Sequence, residues 1–284
     1  MNSLRPLKAL AFQRLRLLCP DLKSAVRDYQ LLLGVAPCWV GPAGLPDQDR
    51  PRPLTAADDV GCAWFVLGNT ILELLEASVE HASLAGLVLT AENIQTTAGH
   101  PAESGYPSSA IAEQRLAAVA CRNLWISMVE NPGVKGMRLT DPGTDLYQQQ
   151  EPAASSCEGG SPITSVDHIV LHTNDADDCI RLFGDGGLGI RLALDKNVPE
   201  WGGRMLFFRV GKLTLEIIEP TTPFAGDDFF WGIAFRVDDI QAVHRRLSRA
   251  GVSLSQPRKG RKPGTWVVTV NSHQLGIPTL LLQG

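Results

Sequence analysis

The sequence predicts an α+β fold of two tandem domains, each a pair of βαβββ units on a strongly curved mixed sheet. Three observations carry this. The second half runs β-α-β-β-β and then β-α-β-β-β, with short β-branched strands and two capped helices. Its two copies superpose on Gly211 and Gly276, which brings Thr214-Leu215-Glu216 onto Thr279-Leu280-Leu281. The first half repeats the same grammar. At roughly 150 residues per domain, the 284 residues agree with about two domains.

The elements follow in order. Val166–His172 alternates and is β-branched, so it reads as a strand; Asn174-Asp175 then opens a short helix over Ala176–Phe183. Ile190–Leu194 is a strand. Arg204–Val210 and Leu213–Glu219 are strands joined by the tight Gly211-Lys212 turn. Ile233–Val237 is followed by Asp238-Asp239 and a helix over Ile240–Ala250, which Gly251 ends. Thr265–Val270 and Thr279–Leu282 close the copy. With His168 over Gly232, the helix-start residues Asp175 and Asp239 coincide.

In the first half, Arg14–Asp21 matches His168–Asp175 in length. Gly68–Glu76 matches Gly211–Glu219, and Gly86–Gln95 matches Gly232–Gln241, both without a gap. The fourth unit is the most degraded: its helix is expected within Ser108–Ala120 and its last strand over Arg122–Glu130. A Pro-, Gly-, Ser- and Gln-rich stretch separates the pairs. The domains are therefore placed at 8–130 and 166–284, with a linker at 131–165. The Pro-rich stretch Gly41–Asp59 reads as an exposed loop.

Composition narrows the function. Hydrophobic residues make up 44% and charged residues 20%, which is ordinary globular usage. Lys and Arg number 26 against 30 Asp and Glu, which argues against general nucleic-acid binding. No apolar run reaches the roughly 18 residues of a membrane span. The partners expected are a small-molecule ligand or substrate, with no nucleic acid and no membrane, on a monomer or homodimer. Cys19, Cys38, Cys62, Cys121, Cys157 and Cys179 form no CxxC pair, and a long chain without a secretory segment points to reduced thiols in a cytoplasmic protein. Arg5, Lys8, Arg14 and Arg16 without an acid faintly resemble a transit peptide, but residues 12–20 belong to a repeat and read as a strand. No Ser/His/Asp signature, P-loop or Rossmann fingerprint is present.

Paired βαβββ units with DHIVL opening one and LTLEIIEP closing it resemble the vicinal oxygen chelate superfamily. That group includes glyoxalase I, bleomycin- and fosfomycin-resistance proteins, methylmalonyl-CoA epimerase and extradiol dioxygenases. GRKPGTWVVTV followed by LGIPTLLLQ is similar to its glyoxalase-like members. The resemblance covers residues 166–283, and 10–130 more loosely. It implies that each pair of units curves into a half-barrel around a cavity. It also implies a divalent metal (Zn, Ni, Mn or Fe) held by His or Glu from the first and last strands of each unit. Such a metal polarises adjacent substrate oxygens.

Carried over residue by residue, the resemblance puts His168 and Glu216 at two ligand positions of the second half, as metal ligands or as catalytic groups. Gly232 and Leu281 stand at the other two and offer no ligand, so the site is incomplete. In the first half the positions hold Arg14, Glu73 and Gly86, with Met128 or Glu130 near the fourth. Arginine stays protonated and cannot ligate, so an Arg14–Glu73 ion pair in the metal's place is expected. His172 lies roughly 13 Å along the strand from His168 and cannot share its metal. His273 is a freer candidate, and Glu219 should face away from Glu216.

Other residues have two readings each. His168 and Glu216 are a remnant metal site, a metal-free acid/base pair, or a hydrogen-bonded structural pair. One alternating face of the third strand lines the cavity, either Arg204, Leu206 and Phe208 or Met205, Phe207 and Arg209. Arg204, Arg209, Phe208 and Trp266 are the candidate ligand-binding residues, with arginine suited to a carboxylate or phosphate. Trp231 and Trp266 pack the barrel or stack on a ligand. Gly260–Gly264 is a basic loop at the barrel mouth, and Arg245, Arg246 and Arg249 read as a solvated helix face.

The expected function is a glyoxalase-like protein acting on or binding a small polar organic molecule. If it is an enzyme, metal-dependent lyase or isomerase chemistry fits better than extradiol ring cleavage, which needs a full iron triad. The alternative is a non-catalytic binding or sequestering protein with a degenerate metal site.

Overall fold

The computed structural model describes residues 8–42, 61–91, 108–111, 116–122, 124–130 and 162–284. Most of the expected linker and of the Gly41–Asp59 loop lies outside them. Among the described residues the strands form two eight-stranded sheets. The first contains β1 (Ala9–Cys19), β2 (Trp39–Pro42), β3 (Gly61–Leu67), β4 (Thr70–Glu76), β5 (Ser83–Ala91), β6 (Ser108–Ile111), β7 (Leu116–Cys121) and β8 (Leu124–Glu130), in the order β2-β3-β4-β1-β5-β8-β7-β6. The second contains β9 (Ser165–His172), β10 (Arg191–Val198), β11 (Gly203–Val210), β12 (Leu213–Pro220), β13 (Phe229–Arg236), β14 (Arg258–Lys259), β15 (Trp266–Val270) and β16 (Thr279–Gln283), in the order β10-β11-β12-β9-β13-β16-β15-β14. The two orders are the same pattern, and both sheets are mixed. β5 runs parallel to β8 and β13 parallel to β16, while the hairpin neighbours are antiparallel.

The helices start where an aspartate can accept from their first free N–H groups. Asp21 accepts from Ser24 N ahead of α1 (Leu22–Leu33), Asp175 from Asp178 N ahead of α2 (Ala176–Phe183), and Asp239 from Gln241 N and Ala242 N ahead of α3 (Ile240–Arg249). Gly34, at φ 75°, ends α1, and Gly251, at φ 85°, follows α3. Both sit in the left-handed region that disfavours a side chain. The turn glycines Gly211 and Gly276 also share it, at φ 60° and 78°, in support of their alignment.

The fourth unit departs from expectation. Where a helix was expected within Ser108–Ala120, β6 and β7 form an antiparallel hairpin, with Ala110 opposite Ala117. Alanine favours helix intrinsically. Here β7 pairs along β8, Ala117 opposite Met128, and that pairing overrides the propensity.

By compactness the chain divides into two units, each threaded three times. One takes Met1–Arg14, Ala85–Met137 and Ile169–Trp231; the other takes Leu15–Leu84, Arg138–His168 and Gly232–Gly284.

In the first unit, α2 lies on one face of β11 and β12, where Phe183 meets Phe208 at 5.8 Å between ring centres. Arg122, in the β7–β8 turn at φ 50°, ties this unit together. Its Nε and Nη2 donate to Asp228 at 2.5 and 3.0 Å, its Nη1 to Asp178 at 2.5 Å, and its Nη2 to Thr173 Oγ1 at 2.9 Å.

In the second unit, Asn69 pairs with the backbone of Val166 like a strand edge, donating to its carbonyl at 2.7 Å and accepting from its N–H at 3.0 Å. Arg246 is buried, against the expectation of a solvated face. Its Nη1 and Nη2 donate to the carbonyls of Leu31 and Leu32 at 2.8 and 2.9 Å. Those carbonyls end α1, where a cation complements the helix dipole.

Among the described residues, no helix is long and apolar enough to cross a membrane. Cys19, Cys38, Cys62 and Cys179 are free thiols, and burial pushes those of Cys19 and Cys179 up to about 12.

Candidate functional site

Strand alternation sorts the candidates. On β12, Leu213, Leu215 and Ile217 are buried, while Thr214, Glu216 and Ile218 are half-buried. Glu216 stands opposite Phe207 on β11, and Thr214 opposite Arg209. Side chains directly opposite share a face, so Phe207, Arg209 and Glu216 lie on one side. Arg204 and Phe208 lie on the other, under α2. Arg204 donates there to Asp195 at 2.9 and 2.8 Å and to Asp177 at 2.8 Å. Glu219 is also on the α2 side, where it accepts from Ala176 N at 3.0 Å.

A cleft of about 430 Å³ opens beside Arg204 and Glu219, with Asn174, Asn197 and several prolines on its walls. Arg204, Glu219 and Asn174 are engaged by α2, Asp195 and the backbone of Phe224.

His168, on β9, has a neighbour the sequence reading did not single out. Its Nδ1 lies 3.0 Å from Asp167 Oδ2. Arg236 donates through Nε and Nη2 to the other oxygen of Asp167. The hydrogen bond from His168, then that from Arg236, hold the Asp167 carboxyl down at about 2. Asp167 is therefore a carboxylate at neutral pH and only accepts, so Nδ1 of His168 carries the proton of this bond. The signal was the Asp-His dipeptide itself, but adjacent strand residues point to opposite faces, and nothing in the spacing announces their bond.

His273 sits at φ 61° in the loop before β16, with Nδ1 2.8 Å from Ser272 Oγ. Trp266 is 40% exposed and Trp231 47%, so neither is a core residue. In the basic loop, Gly260 N donates to Thr265 O at 2.9 Å, and Thr265 Oγ1 to Lys262 O at 2.6 Å, which closes a tight turn. His172 faces three aromatic rings: Trp231 at 5.8 Å, Phe229 at 5.4 Å and Phe224 at 6.4 Å.

The first half holds a buried ion pair on Glu73, in which Arg16 takes part. Arg16 Nε donates to Glu73 Oε2 at 2.8 Å, and Trp64 Nε1 donates to Glu73 Oε1 at 2.9 Å. Arg16 lies two residues beyond Arg14 on β1 and so on the same face.

Among the described residues, the donor set does not fit a three- or four-ligand metal centre. Among the described residues, no three His, Cys, Asp or Glu side chains come together to hold an ion. Leu281 is buried and apolar. Gly232 has no room for a side chain: a Cβ there would lie 2.5 Å from Pro278 O. Gly86 is blocked alike, with Trp125 O at 2.5 Å from its would-be Cβ.

Comparison with known proteins agrees with this architecture. Residues 167–269 match the family model described as the glyoxalase/bleomycin resistance protein/dioxygenase superfamily. No curated protein sequence matches the chain. Among solved structures, a mutant 4-hydroxymandelate synthase from Streptomyces coelicolor is similar with TM-score 0.66 and 15% identity, over 97% of this chain and 92% of that one. A catechol 2,3-dioxygenase gives TM-score 0.62 and 15% identity, over 98% and 93%. A Mn(II)-bound glyoxalase from Novosphingobium aromaticivorans gives 0.60 and 12%, over 98% and 83%. At these identities the likeness is one of fold. Residues 167–269 therefore resemble the glyoxalase/bleomycin resistance protein/dioxygenase superfamily, and the chain as a whole is similar in fold to these solved structures.

Proposed function

We propose that the second half of the chain binds a small polar organic molecule, with His168 and Glu216 as its acid/base residues. The observation that carries this reading is the Asp167–His168 bond. An ionised carboxylate on Nδ1 orients the imidazole ring, as carboxylates do for acid/base histidines. Glu216 adds a second carboxyl on a half-buried strand face. Proton transfer between carbon and oxygen next to a carbonyl is the chemistry such a pair serves, which is lyase or isomerase chemistry.

A second reading is a binding protein without chemistry. It is favoured by the apolar, sterically closed position at Gly232 and by the buried Leu281.

The test is a thermal-shift screen of the full chain against glutathione adducts, 2-oxo acids, catechols and antibiotics, with metal content measured by mass spectrometry. A ligand that stabilises the wild type should lose its effect in His168→Ala and Glu216→Gln. Turnover or solvent-deuterium exchange of that ligand, reduced in Asp167→Asn, supports the enzyme. Tight binding without turnover supports the binder. Stabilisation that survives both His168→Ala and Glu216→Gln overturns the assignment of these residues.

A further inference from the structure

Two arginines face each other across the β10–β11 hairpin. Arg191 on β10 stands directly opposite Arg209 on β11, and Arg209 stands opposite Thr214 on β12. The three therefore form one transverse row, on the face that carries Phe207 and Glu216. Both arginines are exposed. Among the described residues, neither guanidinium has an ion-pair or hydrogen-bond partner. Like charges directly opposite on neighbouring strands destabilise the pair unless an anion comes between them.

A β-bulge builds this row. The register of β10 on β11 slips between Leu192 and Leu194, so that Ala193 is an extra residue. In a regular strand Arg191 and Leu194, three apart, would point to opposite faces, and Asp195 would share the face of Arg191. The bulge reverses both relations. Leu194 stands opposite Phe207, on the face of the arginines, and Asp195 stands opposite Leu206, on the other. There Asp195 accepts from Arg204 at 2.9 and 2.8 Å. The one carboxylate of β10 is thereby withdrawn from Arg191. Bulges that re-aim side chains in this way recur next to active sites.

The next row along the same face is Leu194, Phe207 and Glu216. Leu194 is 49% exposed and Phe207 is half-buried. This row lies two strand residues, roughly 7 Å, from the arginines. Cationic donors and a hydroxyl at one level, with apolar surface at the next, fit a molecule with an anionic head on a short apolar body. Two guanidinium forks offer more donors than one carboxylate accepts, and they match the oxygens of a phosphate. Lys212, in the β11–β12 turn two residues before Thr214, adds to the positive potential at that end.

We propose that Arg191, Arg209 and Thr214 bind the phosphate of a small phosphate monoester, while Leu194 and Phe207 meet its apolar part. The proposal rests on the reading of the Glu216 face as the ligand face, and not on the acid/base roles given to His168 and Glu216. The unliganded protein keeps two opposed cations at a cost in stability, and the bound dianion removes it.

The probes are phenyl phosphate and benzyl alcohol, the second keeping the ring without the anion. The full-length protein is titrated by calorimetry at physiological ionic strength, where non-specific surface attraction is screened. Phenyl phosphate should bind saturably, about ten-fold or more tighter than benzyl alcohol. Arg191→Gln and Arg209→Gln should each weaken it about ten-fold, and Arg209→Lys, which lacks the planar fork, should regain only part. Arg191→Glu turns the row into an opposite-charge pair. It should abolish binding and raise the Tm of the unliganded protein by about 1–2 °C. Arg249→Gln, on the exposed face of α3, should bind like the wild type. Absence of saturable binding overturns the proposal, as does equal loss in Arg249→Gln or wild-type affinity in Arg191→Gln and Arg209→Gln. Glu216→Gln should bind phenyl phosphate at least as tightly as the wild type. A screened ligand that needs Glu216 but ignores Arg209→Gln would leave the acid/base reading standing and overturn this proposal. Phenyl phosphate binding that needs both arginines, with no ligand that needs His168 or Glu216, would do the reverse.

Discussion

Arg16 and Glu73 form an ion pair with both side chains sealed from water, Nε to Oε2 at 2.8 Å. Trp64 occupies the second carboxylate oxygen, so both oxygens of Glu73 have donors. Coulomb attraction here offsets a large desolvation cost, and the pair is sensitive to losing one member.

Arg16→Met should therefore destabilise the protein by about 3–5 kcal/mol, because it strands a buried carboxylate. The loss should be read as a drop in Tm of roughly 10 °C. Adding Glu73→Gln, which still accepts from Trp64, should recover most of it. A double variant as unstable as Arg16→Met would show that the arginine acts by packing rather than by charge.

Arg122 and Asp228 make the corresponding test in the other compact unit. Asp228 is only 4% exposed, and Arg122 supplies both of its closest donors. Arg122→Ala should cost about 3 kcal/mol in denaturant unfolding. Arg122→Lys should recover less than half, because an ammonium cannot replace the guanidinium fork across Asp178, Asp228 and Thr173. Full rescue by lysine would mean that charge alone matters there.

His172 gives stability a pH dependence of definite sign. Burial among Phe224, Phe229 and Trp231 pushes its pKa below the usual imidazole value of 6.5. The unfolded chain then binds the proton more readily than the folded one. The stabilisation is complete above 6.5 and is lost as pH falls from there through the lowered folded value. His172→Phe should flatten that segment of the pH–stability curve. An unchanged curve in the variant would locate the titration elsewhere.

Much of the fold was legible because the repeat is written in turn and cap residues. Asp175 and Asp239 cap helices, and Gly211 and Gly276 take left-handed turns; each serves a local geometry that no tertiary contact has to supply. The hairpin over Ser108–Cys121 was not legible, because its alanines favour helix and only pairing with β8 makes them a strand. The site was legible in part. The face shared by Phe207 and Arg209 was one of two alternatives, and only the register with Glu216 and Thr214 chooses it. Arg16 paired with Glu73, and Arg246 buried on α1, depend on which of several like arginines a fold turns inward. Composition and periodicity carry no such information.

The threefold threading of each compact unit bears on synthesis. During translation, the unit that begins at Met1 lacks its last stretch until Trp231 has been made. The other unit waits for the final residues of the chain. The strands of the first sheet are nevertheless all made before those of the second, which begin at Ser165. The β3–β4, β6–β7 and β7–β8 hairpins can pair as they emerge, while each compact unit gains its last segment only late in synthesis.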